Sequence, residues 1–222
     1  GISMNSTAQE IDYPDSFNEP MNLFDSAMGD FHFPISSDNE MAQAYFDQGF
    51  QLMYSFAKDD SARSFQASNM TDPDCAICYW GEAWSWGSYL NGAMTSAQAP
   101  RAYNALQQAL ARIDSATAKE ADMIRALAVR YIKDFDPETR RIQDQAYADA
   151  MGKLAAKYPD DLDIATLYGE SLFLLEERRG YRALDNPDVT RLHGVLLGVL
   201  EKDIRHPGAC HLLVHATEST PT

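Results

Sequence analysis

His206-Pro207-Gly208-Ala209-Cys210-His211-Leu212-Leu213-Val214-His215-Ala216-Thr217-Glu218 reads as a short turn that launches a helix. Proline suits the first turn of a helix and fails inside one. On that helix His211, His215 and Glu218 fall at i, i+4 and i+7, so all three share one face. Two imidazoles and a carboxylate on one stripe can hold a divalent metal ion, and the same stripe also serves as an ordinary polar face. Two earlier stretches echo it. They are Asp72-Pro73-Asp74-Cys75-Ala76-Ile77-Cys78-Tyr79-Trp80-Gly81-Glu82-Ala83-Trp84 and Tyr158-Pro159-Asp160-Asp161-Leu162-Asp163-Ile164-Ala165-Thr166-Leu167-Tyr168-Gly169-Glu170. Each is a Pro turn followed by a helix with a Glu about two turns in, so one helix–turn–helix unit is used several times.

The rest of the chain follows suit. Apolar residues at helical spacing predict helices over roughly 39–57, 60–69, 74–90, 98–113, 117–134, 139–157, 161–177 and 188–203, and from near 208 onward. Residues 178–187 read as a loop, and no segment alternates as a strand does. Residues 1–29 are polar and carry Pro14 and Pro20, which predicts a loose N-terminal arm. Phe31-His32-Phe33-Pro34-Ile35 reads as an extended segment pinned onto the first helices. The expected organisation is an arm and extended segment over 1–35 and a helical repeat domain over 36–222. Gly1-Ile2-Ser3 ahead of Met4 reads as a cloning remnant. The last helix lacks a partner, so a longer array truncated at its C-terminus is expected.

The chain has 222 residues, 45% of them hydrophobic and 11% aromatic, enough to bury a sizeable core. Its formal charge of -15 argues against nucleic-acid binding, which wants a basic face, and against docking on anionic lipid. It favours cationic partners, metal ions, or simply solubility. Three cysteines make no disulfide framework, so they do not choose a compartment. No apolar run approaches the ~20 residues of a membrane span.

The spacing of prolines and small residues narrows the architecture. The 34-residue tetratricopeptide repeat pairs two helices, with a small residue at its eighth position and a proline near its end. Counting back from Pro73 puts Tyr45, Gly49, Leu52 and Phe65 at marked positions, with Gln48 and Ser61 departing from the pattern. Counting forward from Pro159 puts Gly169 at the small position and Leu172 at the next. The stretches Asp72–Ala83 and His206–Glu218, with Phe31-His32-Phe33-Pro34-Ile35-Ser36, resemble a bacterial group of tetratricopeptide-repeat (TPR) proteins. The resemblance covers most of residues 29–219. It implies a right-handed helical scaffold with a concave ligand-binding face, but transfers no activity. The fold expected is therefore all-α, an α-solenoid of antiparallel helix pairs forming a TPR-like right-handed superhelix.

In such repeats the first helix of each pair lines the groove, so Glu82, Trp84 and Glu170 are the expected groove residues. The leading functional expectation is a scaffold that takes a protein, peptide or small ligand in that groove. The rival is a metal-binding protein or metal-dependent enzyme built on His211, His215 and Glu218 with Cys210 nearby. Imidazole and carboxylate suit Zn, Fe or Ni, and a thiolate tilts the choice toward Zn or Cu. Cys75 and Cys78 sit at a helix N-terminus, where the dipole lowers a thiol pKa. Disulfide or thiol pair, half of a metal site, and plain buried thiols all remain open for them. About three repeats separate them from His211 and His215, too far to share an ion unless the superhelix curls tightly. His32 is expected to pack between its phenylalanines, and His193 to flank the apolar stripe of its helix. Trp80, Trp84 and Trp86 are expected in the inter-helix core, with an aromatic wall for a ligand as the alternative.

Overall fold

Side-chain caps decide where several helices begin. The computed structural model describes residues 10–24, 30–90, 92–175 and 186–217. Among them are α1 (Glu40–Tyr54), α2 (Lys58–Thr71), α3 (Ala76–Trp86), α4 (Gln98–Ala111), α5 (Ala118–Ala128), α6 (Arg140–Lys157), α7 (Leu162–Phe173), α8 (Pro187–Lys202) and α9 (Pro207–Thr217). Asn39 accepts from Met41 and Ala42 N–H to start α1. Thr117 and Glu120 close a reciprocal capping box on α5, and Asp161 accepts from Asp163 and Ile164 N–H on α7. Each such cap satisfies N–H groups that the helix itself leaves without partners. No strand forms among the described residues, and Tyr89 and Gly92 make one isolated bridge. The expected loop at 178–187 falls mostly outside the described residues.

Several helices end earlier than their apolar stripes predict, α3 and α5 among them. α3 stops at Trp86 instead of near residue 90, because Gly87 is pinned from two sides. Lys58 Nζ donates to the Gly87 carbonyl, and a Cβ on Gly87 would lie 2.1 Å from the Tyr131 hydroxyl. α5 stops at Ala128 instead of near 134. Just beyond it Arg130 donates to the Ser88 carbonyl at 2.9 Å and faces Asp144 at 3.5 Å, which draws the chain off the helical path.

Each helix packs on its successor, and α1 meets α3, α3 meets α5 and α7 meets α9. α9 also reaches back to α1. The core is strongly aromatic. Phe50 lies tilted against Trp84 at 4.8 Å, Trp80 stacks on Trp84 at 5.5 Å, and Phe46 meets Phe65 at 5.2 Å. Trp80, Trp84 and Trp86 are all buried, so the tryptophans are core. Gly49 on α1 and Gly81 on α3 flank the Phe65 ring of α2, where added Cβ atoms would lie 2.9 and 2.2 Å from it. Small residues let three helices close on one ring.

The arm expected to be loose is instead ordered and packed over residues 10–24. Tyr13 and Phe17 lie against Trp86, and Arg101 caps the stack and donates to the Asp12 carbonyl. Gln48 bonds both Phe24 N–H and the Asn22 carbonyl. Buried aromatic area and these main-chain bonds outweigh the polar composition that suggested disorder. The segment after it is extended as expected. Phe33 stacks on Phe50 at 5.2 Å, and Phe33 N–H donates to Asp47. His32, expected to pack, points outward to Asp47 at 2.7 Å and stays half-exposed, because neighbouring side chains of an extended segment face opposite sides.

Candidate functional site

The C-terminus of α1 prepares a seat for α9. Phe56 N–H bonds the Met53 carbonyl and Ala57 N–H bonds the Leu52 carbonyl, the paired closure of a Schellman motif. That motif needs a left-handed residue, usually glycine, and here Phe56 takes it with φ 64°. The strained turn lays the Phe56 ring 4.0 Å from His211 and 5.0 Å from His215. The Tyr54 carbonyl, in the last turn of α1, accepts a hydrogen bond from His211 Nδ1. A proton on Nδ1 leaves Nε2 as the ring's lone pair. His211 Nε2 and His215 Nε2 then stand 3.1 Å apart on one face of α9.

His206 caps that helix. Its Nδ1 accepts from Ala209 N–H at 3.2 Å, and its Nε2 donates to Asp163 at 2.7 Å. It is buried and fixes α9 on the start of α7. Gly208 lies against Tyr54, where a Cβ would come within 2.5 Å of the ring. His193 flanks its helix as expected, 3.2 Å from the Ala216 carbonyl of α9.

The second feature is an interior polar cluster around Glu170. One oxygen of Glu170 accepts from Trp84 Nε1 at 3.1 Å, joining α7 to α3, while Oε1 has no hydrogen-bond partner among the described residues. Burial pushes the Glu170 carboxyl up to about 7, against the pull of Arg130, the Trp84 bond and Lys58, with Asp144 adding to the rise. The Tyr54 and Tyr147 hydroxyls are likewise buried without a partner among the described residues. Burial raises both phenols, and the nearby Glu170 charge raises them further. Arg130 lies over the Tyr147 ring at 4.9 Å. Burial alone would weaken its charge, but Tyr131, Asp144 and Glu170 hold it protonated.

The candidate residues named from sequence divide accordingly. Glu82 does not face an opening: it is buried between α2 and α3, accepting from Gln66 at 2.7 Å and Asn69 at 2.9 Å. Trp84 and Glu170 face the interior and are buried too, so none of the three expected groove residues is exposed. Cys75 and Cys78 form a disulfide, and a disulfide sulfur offers no thiolate to a metal. Cys210, expected near the imidazoles, turns its thiol to the Ile204 carbonyl, away from the His211–His215 face. Glu218 lies outside the described residues. Among the described residues no three His, Cys, Asp or Glu side chains gather as a metal-binding set. Sequence reasoning missed Tyr54, Phe56, Arg130 and Tyr147. Tyr147 and Phe56 read as ordinary members of the apolar stripes of their helices, and nothing in the sequence marks Phe56 for a left-handed turn.

The sequence matches no protein-family model, no curated protein and no solved structure. No helix among the described residues is long and apolar enough to cross a membrane.

Proposed function

We propose that this chain is a TPR-like right-handed α-solenoid with an interior binding site for a small polar molecule around Glu170, lined from α1, α6 and α7. One observation carries the reading: Glu170 Oε1 and the hydroxyls of Tyr54 and Tyr147, two phenols that feel the Glu170 charge, are each buried without a partner among the described residues. Leaving a polar group buried and unbonded costs about 1–3 kcal/mol, so two such phenols and the free oxygen of one carboxyl favour an occupant that bonds them. Two phenol donors and a carboxyl suit a hydroxyl- or carboxylate-bearing small molecule. A peptide or protein fits less well, since the residues concerned are not at the surface. The repeat architecture is supported by the glycines at Phe65 and by the meeting of first helices, including α1 with α9.

The test is calorimetry and thermal shift on the full chain with acetate, lactate, glycine and glycerol as probes. Saturable binding of at least one, weakened about tenfold or more in Tyr147→Phe, is expected. No saturable binding, or a crystal structure with only ordered water at Glu170, overturns the reading.

A further inference from the structure

We infer that His211 and His215 hold one divalent transition-metal ion between their Nε2 atoms, a site distinct from the Glu170 cluster. Two nitrogens each about 2.0–2.1 Å from one ion, at about 90–109°, lie about 2.9–3.4 Å apart. The observed Nε2–Nε2 separation of 3.1 Å falls in that window. Spacing on α9 brings the two rings to one face, and three further contacts aim them.

The first contact is the Tyr54 carbonyl, which takes the His211 Nδ1 proton and turns the Nε2 lone pair outward. A metal-bound imidazole is oriented in this way, by a carbonyl or carboxylate on its other nitrogen. The second is the Phe56 ring, which lies against both imidazoles and keeps water off one side. Phe56 reaches that position only through a left-handed backbone that costs a side-chain-bearing residue about 1–2 kcal/mol. The third is the His206 cap, which fixes the start of α9 through Asp163.

Among the described residues the two imidazoles are the donors at hand, which leaves coordination positions for water or an incoming small molecule. Such openness belongs to binding or reactive metal sites more than to structural ones, whose four positions are closed by protein. Imidazole donors suit Cu²⁺, Zn²⁺ and Ni²⁺, and the net charge of -15 favours the approach of a cation. Without an ion, the same distance is a hydrogen bond from one ring to the other.

The experiment uses the full chain after EDTA treatment, titrated with Cu²⁺, Zn²⁺ and Co²⁺ separately by calorimetry in a non-chelating buffer. The expected result is one ion per chain with Kd at or below about 10 µM for at least one metal. His215→Gln should weaken that binding about tenfold or more, with the circular-dichroism spectrum unchanged. His193→Gln and Cys210→Ser should leave it intact. Bound Co²⁺ should show visible bands that vanish in His215→Gln. Binding weaker than about 100 µM for all three metals overturns the proposal. So does binding that survives His215→Gln or is lost in Cys210→Ser. Should His211→Gln fail to fold for want of its Tyr54 contact, His215→Gln alone carries the test.

Discussion

Glu82 and Glu170 both follow a glycine two turns into a helix that a Pro turn launches, yet they live in opposite surroundings. Glu82 spends both oxygens on α2, with Gln66 and Asn69 as donors. Glu170 spends one on Trp84 and keeps the other without a partner among the described residues. The difference lies in register. Glu82 comes nine residues after Pro73, and Glu170 eleven after Pro159. Two residues turn an α-helix by about 200°, so one carboxyl faces the preceding helix and the other faces the interior. Counted from the proline, the residue matching Glu82 is Tyr168, whose ring lies over Gly152 of α6 just as Glu82 lies over α2. The residue matching Glu170 is Trp84, its own hydrogen-bond partner. A satisfied buried glutamate is a clasp between helices, whereas one with an unused oxygen is open to chemistry.

Breaking the clasp should cost most. Glu82→Ala removes the acceptor of two buried amide donors, one on Gln66 and one on Asn69. The expected loss is about 3 kcal/mol or more, read as a drop in the urea midpoint at constant slope. Glu82→Gln keeps one acceptor and should cost less. If Glu82→Ala unfolds at the wild-type midpoint, the α2–α3 seam is not held as described.

Glu170→Gln sharpens the other half. Burial raises the folded carboxyl from 4.5 to about 7. The folded state therefore holds its proton more tightly than the unfolded chain. The stability from that proton is fully present below about pH 4.5 and is lost as pH rises to about 7. At pH 8 the variant should be more stable than wild type by on the order of 3 kcal/mol, with little difference near pH 4.5. Glutamine still accepts from Trp84, so the packing stays. Wild-type minus variant stability, followed from pH 4.5 to 8, isolates this group from Glu82, which burial also raises. A flat difference would show that Glu170 is hydrated and ionised throughout.

Reduction of Cys75–Cys78 probes the start of α3, which carries both Glu82 and Trp84. The loop it closes is short, so the chain-entropy gain is only about 2 kcal/mol. Cys75→Ser/Cys78→Ser should lower the unfolding free energy by about that much, read from the urea midpoint, and leave the pH profile of Glu170 unchanged. A change in that profile would mean that the disulfide also positions Trp84.

The helices and their order were legible because apolar periodicity and Pro turns are strong local signals. The interior was less so. Reading the three Pro-launched stretches as equivalent hid the two-residue offset, although counting from each proline exposes it. Phe56 was hidden for a different reason: a left-handed phenylalanine runs against its own preference and is held by rings about 155 residues away in sequence. The same distance hid the bond from His211 to the Tyr54 carbonyl. The strap at 10–24 was hidden because its main-chain groups are bonded by helix side chains, Tyr45, Gln48, Arg63 and Arg101, that composition does not reveal. His211 and His215 were legible as a pair, since i and i+4 on a helix always meet.

The smallest expected effect separates a packing role from a binding role for Tyr147. Its ring is buried beneath Arg130, but its hydroxyl makes no hydrogen bond among the described residues. Removing a buried hydroxyl that has no partner relieves a desolvation cost while keeping the ring and its cation contact. Tyr147→Phe should therefore change the unfolding free energy, read from the urea midpoint, by less than about 0.5 kcal/mol, or raise it slightly. A structural tyrosine with a satisfied hydroxyl would instead lose about 1 kcal/mol. A ligand bound at Glu170 as proposed would read the hydroxyl directly, so binding of the carboxylate and hydroxyl probes should fall although the fold is untouched. Unchanged stability with lost binding is the signature of a group kept for a ligand, and lost stability with unchanged binding would return Tyr147 to the core.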